Sequence, residues 1–212
     1  MRTILCLGDS ITWGYNAADG SRFAWEARWP GVLAARLGSG YRVVEEGLSG
    51  RTTMVDPPFL DGRNAKAVYS LLLETHSPVD AVLIMLGTND LQPILRLTVE
   101  EIGWGCAGLL RTTALSRFGP GGAPPRMLLI TPPPLGVLKG AMASAFVGRE
   151  ADSRRLHPIY ASVAAMFGAV AFDAGTVCTA GSHDGVHPDQ AGHLALGQAL
   201  EAAVRTLFSA PV

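Results

Sequence analysis

The sequence predicts an α/β protein in which helices cover both faces of a buried parallel sheet. Three observations carry this reading. Five short runs are predominantly apolar, interrupted only by Arg42 in the second, as strands buried on both faces require. Segments with helical spacing lie between them, and such alternation implies crossover connections and parallel pairing. Apolar residues make up 48% of the chain and charged residues 17%, a balance that suits a compact core and excludes a disordered chain. No internal repeat or long linker divides the 212 residues, so a single domain over 1–212 is expected.

The first apolar run, 4–7, follows Met1-Arg2-Thr3 directly and ends at Gly8-Asp9-Ser10. Residues 16–28 are polar and aromatic and read as a loop over a site, ahead of a helix. The second run, 41–44, leads to Gly47-Leu48-Ser49-Gly50. Pro57-Pro58 marks a loop, and a helix is expected over 63–73. The third run, 81–86, ends at Gly87-Thr88-Asn89-Asp90 and precedes a predicted helix over 102–115. A Gly- and Pro-rich loop, 119–125, leads to the fourth run, 127–130, which stops at Pro132-Pro133-Pro134. A helix over 156–166 and a fifth strand over 169–172 follow. The last helix, 189–208, has the clearest pattern. Leu196, Leu200, Ala203, Val204 and Leu207 build one apolar face, and Gln198, Glu201 and Arg205 fall elsewhere.

The formal net charge is -1 and no basic block is present, so nucleic acid and anionic membrane are not expected partners. No apolar stretch has the length of a membrane span, and no secretory leader pattern opens the sequence. Cys6, Cys106 and Cys178 are odd in number and lack zinc-site spacing, so reduced structural thiols are expected. The expected location is cytoplasmic.

Ligands of open parallel sheets bind beyond the carboxyl ends of the strands. Ser10 follows strand one, Gly47 to Gly50 follow strand two, and Asn89 follows strand three. Asp184-Gly185-Val186-His187-Pro188 lies after strand five, before the last helix. Residues scattered through the chain thus converge on one edge. Ser10, His187 and Asp184 supply the nucleophile, base and orienting carboxylate of a serine hydrolase. The imidazole takes the hydroxyl proton during attack, and the carboxylate stabilises the imidazolium that forms. Candidate oxyanion donors are the Ser10 N–H, a glycine N–H (Gly50, or alternatively Gly47) and the Asn89 side-chain amide. Taken alone, Asp184 to Pro188 also reads as a helix entry with a surface histidine, and Asn89 as a turn residue.

The Gly-x-Ser-x-Gly elbow is absent, which argues against the α/β-hydrolase fold. Gly8-Asp9-Ser10 is a poor phosphate turn, because Asp9 repels an anion and no Walker lysine follows. His183, Asp184, His187 and His193 lack metal-site spacing, so no metal and no cofactor are expected. His193 is expected on a polar face or at the helix start, and His76 and His157 are read as structural. Of the aromatic residues that follow Ser10, Trp13 and Tyr15 are expected to contact substrate.

Gly8-Asp9-Ser10-Ile11, Gly47 to Gly50, Gly87-Thr88-Asn89-Asp90 and Asp184 to His187 resemble the four blocks of the SGNH, or GDSL-like, hydrolases, in the same order. The resemblance implies a flavodoxin-like three-layer α/β/α sandwich with a five-stranded parallel sheet. It also implies a Ser10–His187–Asp184 triad, with Ser10, Gly50 and Asn89 as oxyanion donors. Glu45 to Thr53, Ile84 to Asp90 and Pro132 to Leu135 resemble the bacterial arylesterase and acyltransferase (perhydrolase) branch. That similarity implies a homo-oligomer, an octamer in the branch, with an apolar channel to the site. Residues 136–148 depart from the branch in lacking its Pro- and Trp-rich character. The expected activity is hydrolysis of short-chain acyl esters, aryl or carbohydrate acetyl, through an acyl-Ser10 intermediate. Acyl transfer to alcohol or peroxide is the alternative, and a non-catalytic flavodoxin-like binding module is the remote one.

Overall fold

The computed structural model describes residues 1–209 of the chain. Its elements, in chain order, are β1 (Arg2–Gly8), α1 (Ser10–Trp13), α2 (Trp29–Leu37), β2 (Tyr41–Gly47), α3 (Ala65–Thr75), β3 (Ala81–Met85), α4 (Val99–Ala114), β4 (Arg126–Thr131), α5 (Gly140–Ala145), α6 (Glu150–Ser153), α7 (Leu156–Met166), β5 (Val170–Asp173) and α8 (Gln190–Ser209). The five strands form one parallel sheet in the order β2-β1-β3-β4-β5. This is the flavodoxin-like order, in which the chain reverses direction between β1 and β3.

Side chains alternate across the central strands, and the two faces bury different helices. Leu5 and Leu7 of β1 and Val82 and Ile84 of β3 join Tyr69 of α3, Ile102 and Leu109 of α4, and Tyr160 of α7. Ile4, Cys6, Leu83 and Met85 point the other way, against Trp29 and Leu33 of α2 and Leu196 and Leu200 of α8. A strand needed by both layers must be apolar at every position, so β1 and β3 read as unbroken apolar runs. Cys6, Cys106 and Cys178 are buried free thiols in these layers.

The five expected strands all form, each extended or trimmed by one to three residues. The α7 bounds coincide with expectation, and α3 starts two residues later than the spacing implied. Helix α4 begins at Val99 because Thr98 and Glu101 form a reciprocal capping box, which fixes the first turn upstream of Ile102. Gly47 is the last residue of β2 and not part of the loop that follows it. Helices α1, α5 and α6 are too short to carry a helical period in sequence. Among the described residues, no helix is long and apolar enough to cross a membrane.

Candidate active site

The carboxyl edge of the sheet gathers the predicted residues. Asp9 caps α1, its Oδ1 accepting the Ile11 N–H at 2.9 Å. This cap starts the helix at Ser10, so Ser10 leaves the strand end with a first-turn N–H that has no intrahelical acceptor. The other two members come from the loop before α8. Asp184 Oδ1 accepts the backbone N–H groups of Val186 (2.8 Å) and His187 (3.0 Å), and its Oδ2 accepts the His187 Nδ1–H at 2.6 Å. A carboxylate can only accept here, so the imidazole carries its proton on Nδ1 and presents Nε2 as an acceptor. Ser10 Oγ lies 2.8 Å from that Nε2, across 177 residues of sequence.

Burial favours the neutral form of Asp184, but the hydrogen bonds from His187 and Val186 outweigh it and hold the carboxyl below its ordinary value. Asp184 is therefore ionised wherever His187 would need an anionic partner. Ser10 and His187 are 8% and 7% exposed, which leaves them reachable yet mostly stripped of water.

Asn89 sits in a turn after β3. Its Nδ2 donates to the Arg51 carbonyl at 3.1 Å, and its Oδ1 accepts from Gln92 Nε2 at 3.2 Å. These bonds orient the amide and leave its second N–H uncommitted. Asp90 beside it is fully buried and accepts the Thr53 N–H (3.0 and 3.1 Å) and the Thr53 hydroxyl (2.5 Å). Asn89 and Asp90 thus tie the loop after β3 to the loop after β2. Arg51 completes the tie, its guanidinium donating to the carbonyls of Gly8 (3.0 Å) and Glu46. Burial pushes Asp9 and Asp90 up to about 6 each, against the hydrogen bonds that hold them.

The two candidate glycines differ. Gly50 has φ +80° and lines the cavity over Ser10. Gly47 is outside that lining, and a Cβ on it would fall 2.3 Å from the Trp13 backbone nitrogen. Its missing side chain lets β2 and α1 meet.

The cavity holds about 390 Å³. Ser10, Gly50, Asn89 and His187 form its polar side, and Met142, Ala145, Phe146 and Val186 its apolar side. Tyr15 also lines it, with its ring 4.6 Å from that of His187. Trp13 does not reach the cavity. Its ring lies under the Arg22 guanidinium at 4.7 Å, and Arg22 also binds the Trp13 carbonyl and Glu45 (2.6 Å). Glu45 takes a second ion pair from Arg28 at 3.0 Å, so the 16–28 loop is pinned at its middle and at its last residue. A larger groove of about 870 Å³ runs along 175–182 and the start of α8, but it contains neither Ser10 nor His187.

Three other histidines are held within the fold. His193 lies in the first turn of α8, at the helix start as expected, but it is fully buried rather than on a polar face, with Nδ1 accepting the Trp29 N–H at 3.4 Å. Burial, aided by the charge of His187, lowers it to about 4. His76 pairs with Glu46 at 2.7 Å, and His157 meets the Thr131 hydroxyl at 3.1 Å. Met142, Ala145, Phe146 and Gln92 were not expected at the site. No periodicity or charge marks them, and only the path of the chain after β4 and β3 brings them there.

The family model for GDSL-like lipases and acylhydrolases matches residues 6–195. No curated protein matches the chain. Among solved structures, the aryl esterase of M. smegmatis is 39% identical, with 98% of this chain and 100% of that chain covered and a TM-score of 0.92. A carbohydrate acetylesterase family member from Sinorhizobium meliloti is 38% identical, with 99% and 100% covered and a TM-score of 0.94.

Proposed function

The chain belongs to the GDSL-like lipase/acylhydrolase family and is an SGNH-type serine hydrolase, and from that premise we propose that it cleaves short-chain acyl esters through an acyl enzyme on Ser10. The observation that carries the proposal is the 2.8 Å contact between Ser10 Oγ and His187 Nε2. In the first half-reaction His187 takes the Ser10 proton as Oγ attacks the ester carbonyl, and Asp184 stabilises the imidazolium. The oxyanion is received by the N–H groups of Ser10 and Gly50 and by the free amide N–H of Asn89. Collapse expels the alcohol, which takes its proton from His187. Water, activated by the same imidazole, then releases the acid.

The substrate class follows from the cavity and from the relatives. About 390 Å³ with an apolar wall accepts a small acyl group and a compact alcohol. The similar proteins are an aryl esterase and a carbohydrate acetylesterase, so aryl acetates and acetylated carbohydrates are the proposed substrates. Tyr15 lies against His187 and lines the cavity, which supports a role in contacting the ester.

Ser10→Ala, with its fold checked by thermal melting, abolishes turnover of p-nitrophenyl acetate. Turnover by that variant at the parent rate would remove the mechanism. A serine-directed phosphonate labels the parent at Ser10, and failure to form that adduct would favour a non-catalytic module. The apolar side formed by Met142, Phe146 and Val186 favours a second reading, in which an alcohol competes with water for the acyl group. The ratio of transfer to hydrolysis in aqueous alcohol measures that share.

A further inference from the structure

The segment between β4 and α6 is fastened at both ends and less deeply buried in the middle, where Met142 and Ala145 rest against the core. Its first part is laced to the loop that carries Asp184 and His187. The Gly136 N–H donates to the Gly185 carbonyl (2.8 Å), the Lys139 N–H to the Asp184 carbonyl (3.0 Å), and Lys139 Nζ to the Ser182 carbonyl (2.7 Å). Its last part is held by Arg149, which binds the Leu97 carbonyl (2.7 Å) and Asp152 (2.9 Å). Between these fastenings lies α5, none of whose residues is buried and which has no side-chain cap. Gly140, its first residue, has φ +54° and open space where a Cβ would stand. Phe146, just past its end, is only 2% exposed and sits in the core.

Helix α5 also divides two spaces. Met142 and Ala145 on one side, with Phe146, form the apolar side of the cavity over Ser10. Ala143, with Leu138 and Val147, lines a solvent-facing groove of about 530 Å³ on the other side. The wall of the site is one helix thick, with room behind it.

We propose that α5 is a yielding end wall that sets which acyl chain lengths the enzyme accepts, swinging about Phe146 with Gly140 as the joint and retreating into the groove behind Ala143. The proposal rests on the esterase reading above and deepens it. A close-packed interior rejects even one extra methylene, because it has no free volume to give. A wall backed by solvent instead admits a longer chain by moving aside, giving up the contacts that Met142 and Ala145 make with the core. Acetate needs no such motion. Hexanoate would.

The test is kcat/KM for p-nitrophenyl acetate, butyrate, hexanoate and octanoate. The parent accepts acetate through hexanoate. Ala143→Phe fills the groove from behind without touching the cavity over Ser10. It leaves acetate within about twofold and lowers hexanoate by about tenfold or more, the scale on which a pocket discriminates methylenes. Ala143→Leu, a smaller filling, gives an intermediate loss. Met142→Ala opens the wall from the front and raises hexanoate relative to acetate, alone and combined with Ala143→Phe. A parallel change at every chain length in the Ala143 variants would overturn the proposal, as would a parent confined to acetate. A parent inactive on all four esters would instead overturn the esterase reading.

Discussion

At Asn89 one side chain is given two tasks and has the atoms for both. One amide hydrogen anchors it to the Arg51 carbonyl, the carbonyl oxygen is held by Gln92, and the second hydrogen is left for the proposed oxyanion contact. A donor fixed before reaction costs nothing to reorganise when the oxyanion forms. Asn89→Ala should therefore lower kcat on p-nitrophenyl acetate by about 10²- to 10³-fold, with KM little changed. A rise in KM at constant kcat would mean that Asn89 binds substrate without favouring the transition state. The candidate triad was legible from residue types and order, because Ser10, Asp184 and His187 combine chemistry with strand-end positions. The residues that hold the loops together were not. No local pattern marks Arg51 and Asp90 as ties between loops; both are buried, since their partners are backbone groups and Thr53 from distant segments.

At the level of elements, β1 and β3 were legible because a strand covered on both faces cannot alternate in polarity. The long helices α4, α7 and α8 were legible because each repeats its apolar face over several turns. Helix α5 was not, because six residues of Gly, Ala, Ser and Met contain less than two turns. The junction of β2 and α1 is a contact between elements, and Gly47 is its test. Gly47→Ala would drive a Cβ to 2.3 Å from the Trp13 nitrogen, against backbone that can only yield by moving α1. We expect a loss of about 3 kcal/mol, seen as a fall in melting temperature of about 6 to 12 °C. Esterase activity should drop with it, since Ser10 lies on α1. An unchanged melting temperature would show that the two elements have slack.

For the whole molecule, buried ionisable groups make stability depend on pH. Asp9 has an ordinary value of 3.8 and sits at about 6 in the folded protein because it is buried. Between those values the unfolded chain has released the proton and the folded protein still holds it, so stability falls as pH rises through that window. The cost is about 3 kcal/mol once pH exceeds 6. His193 acts in the opposite sense. It is lowered from 6.5 to about 4, so its contribution to stability rises with pH across that interval. Asp90, also raised to about 6, acts in the same sense as Asp9, so the net curve mixes all three and a substitution isolates one of them. Asp9→Asn keeps a capping oxygen for Ile11 and removes one titration. Chemical denaturation at pH 4 and pH 7 should show the variant gaining about 2 kcal/mol on the parent between those values. A difference independent of pH would mean that Asp9 is ionised in both states.

The sequence by itself determined the layered sheet, the chain order of the motif blocks and the members of the candidate triad, because buried strands, long amphipathic helices and reactive residue types leave local marks. Only the tertiary structure decided that Gly50 faces the cavity and Gly47 does not, that Trp13 turns away while Tyr15 lies against His187, and that α5 walls the site. These depend on which segments, far apart in the chain, are brought within a few ångströms of each other, and no local pattern encodes such a distance.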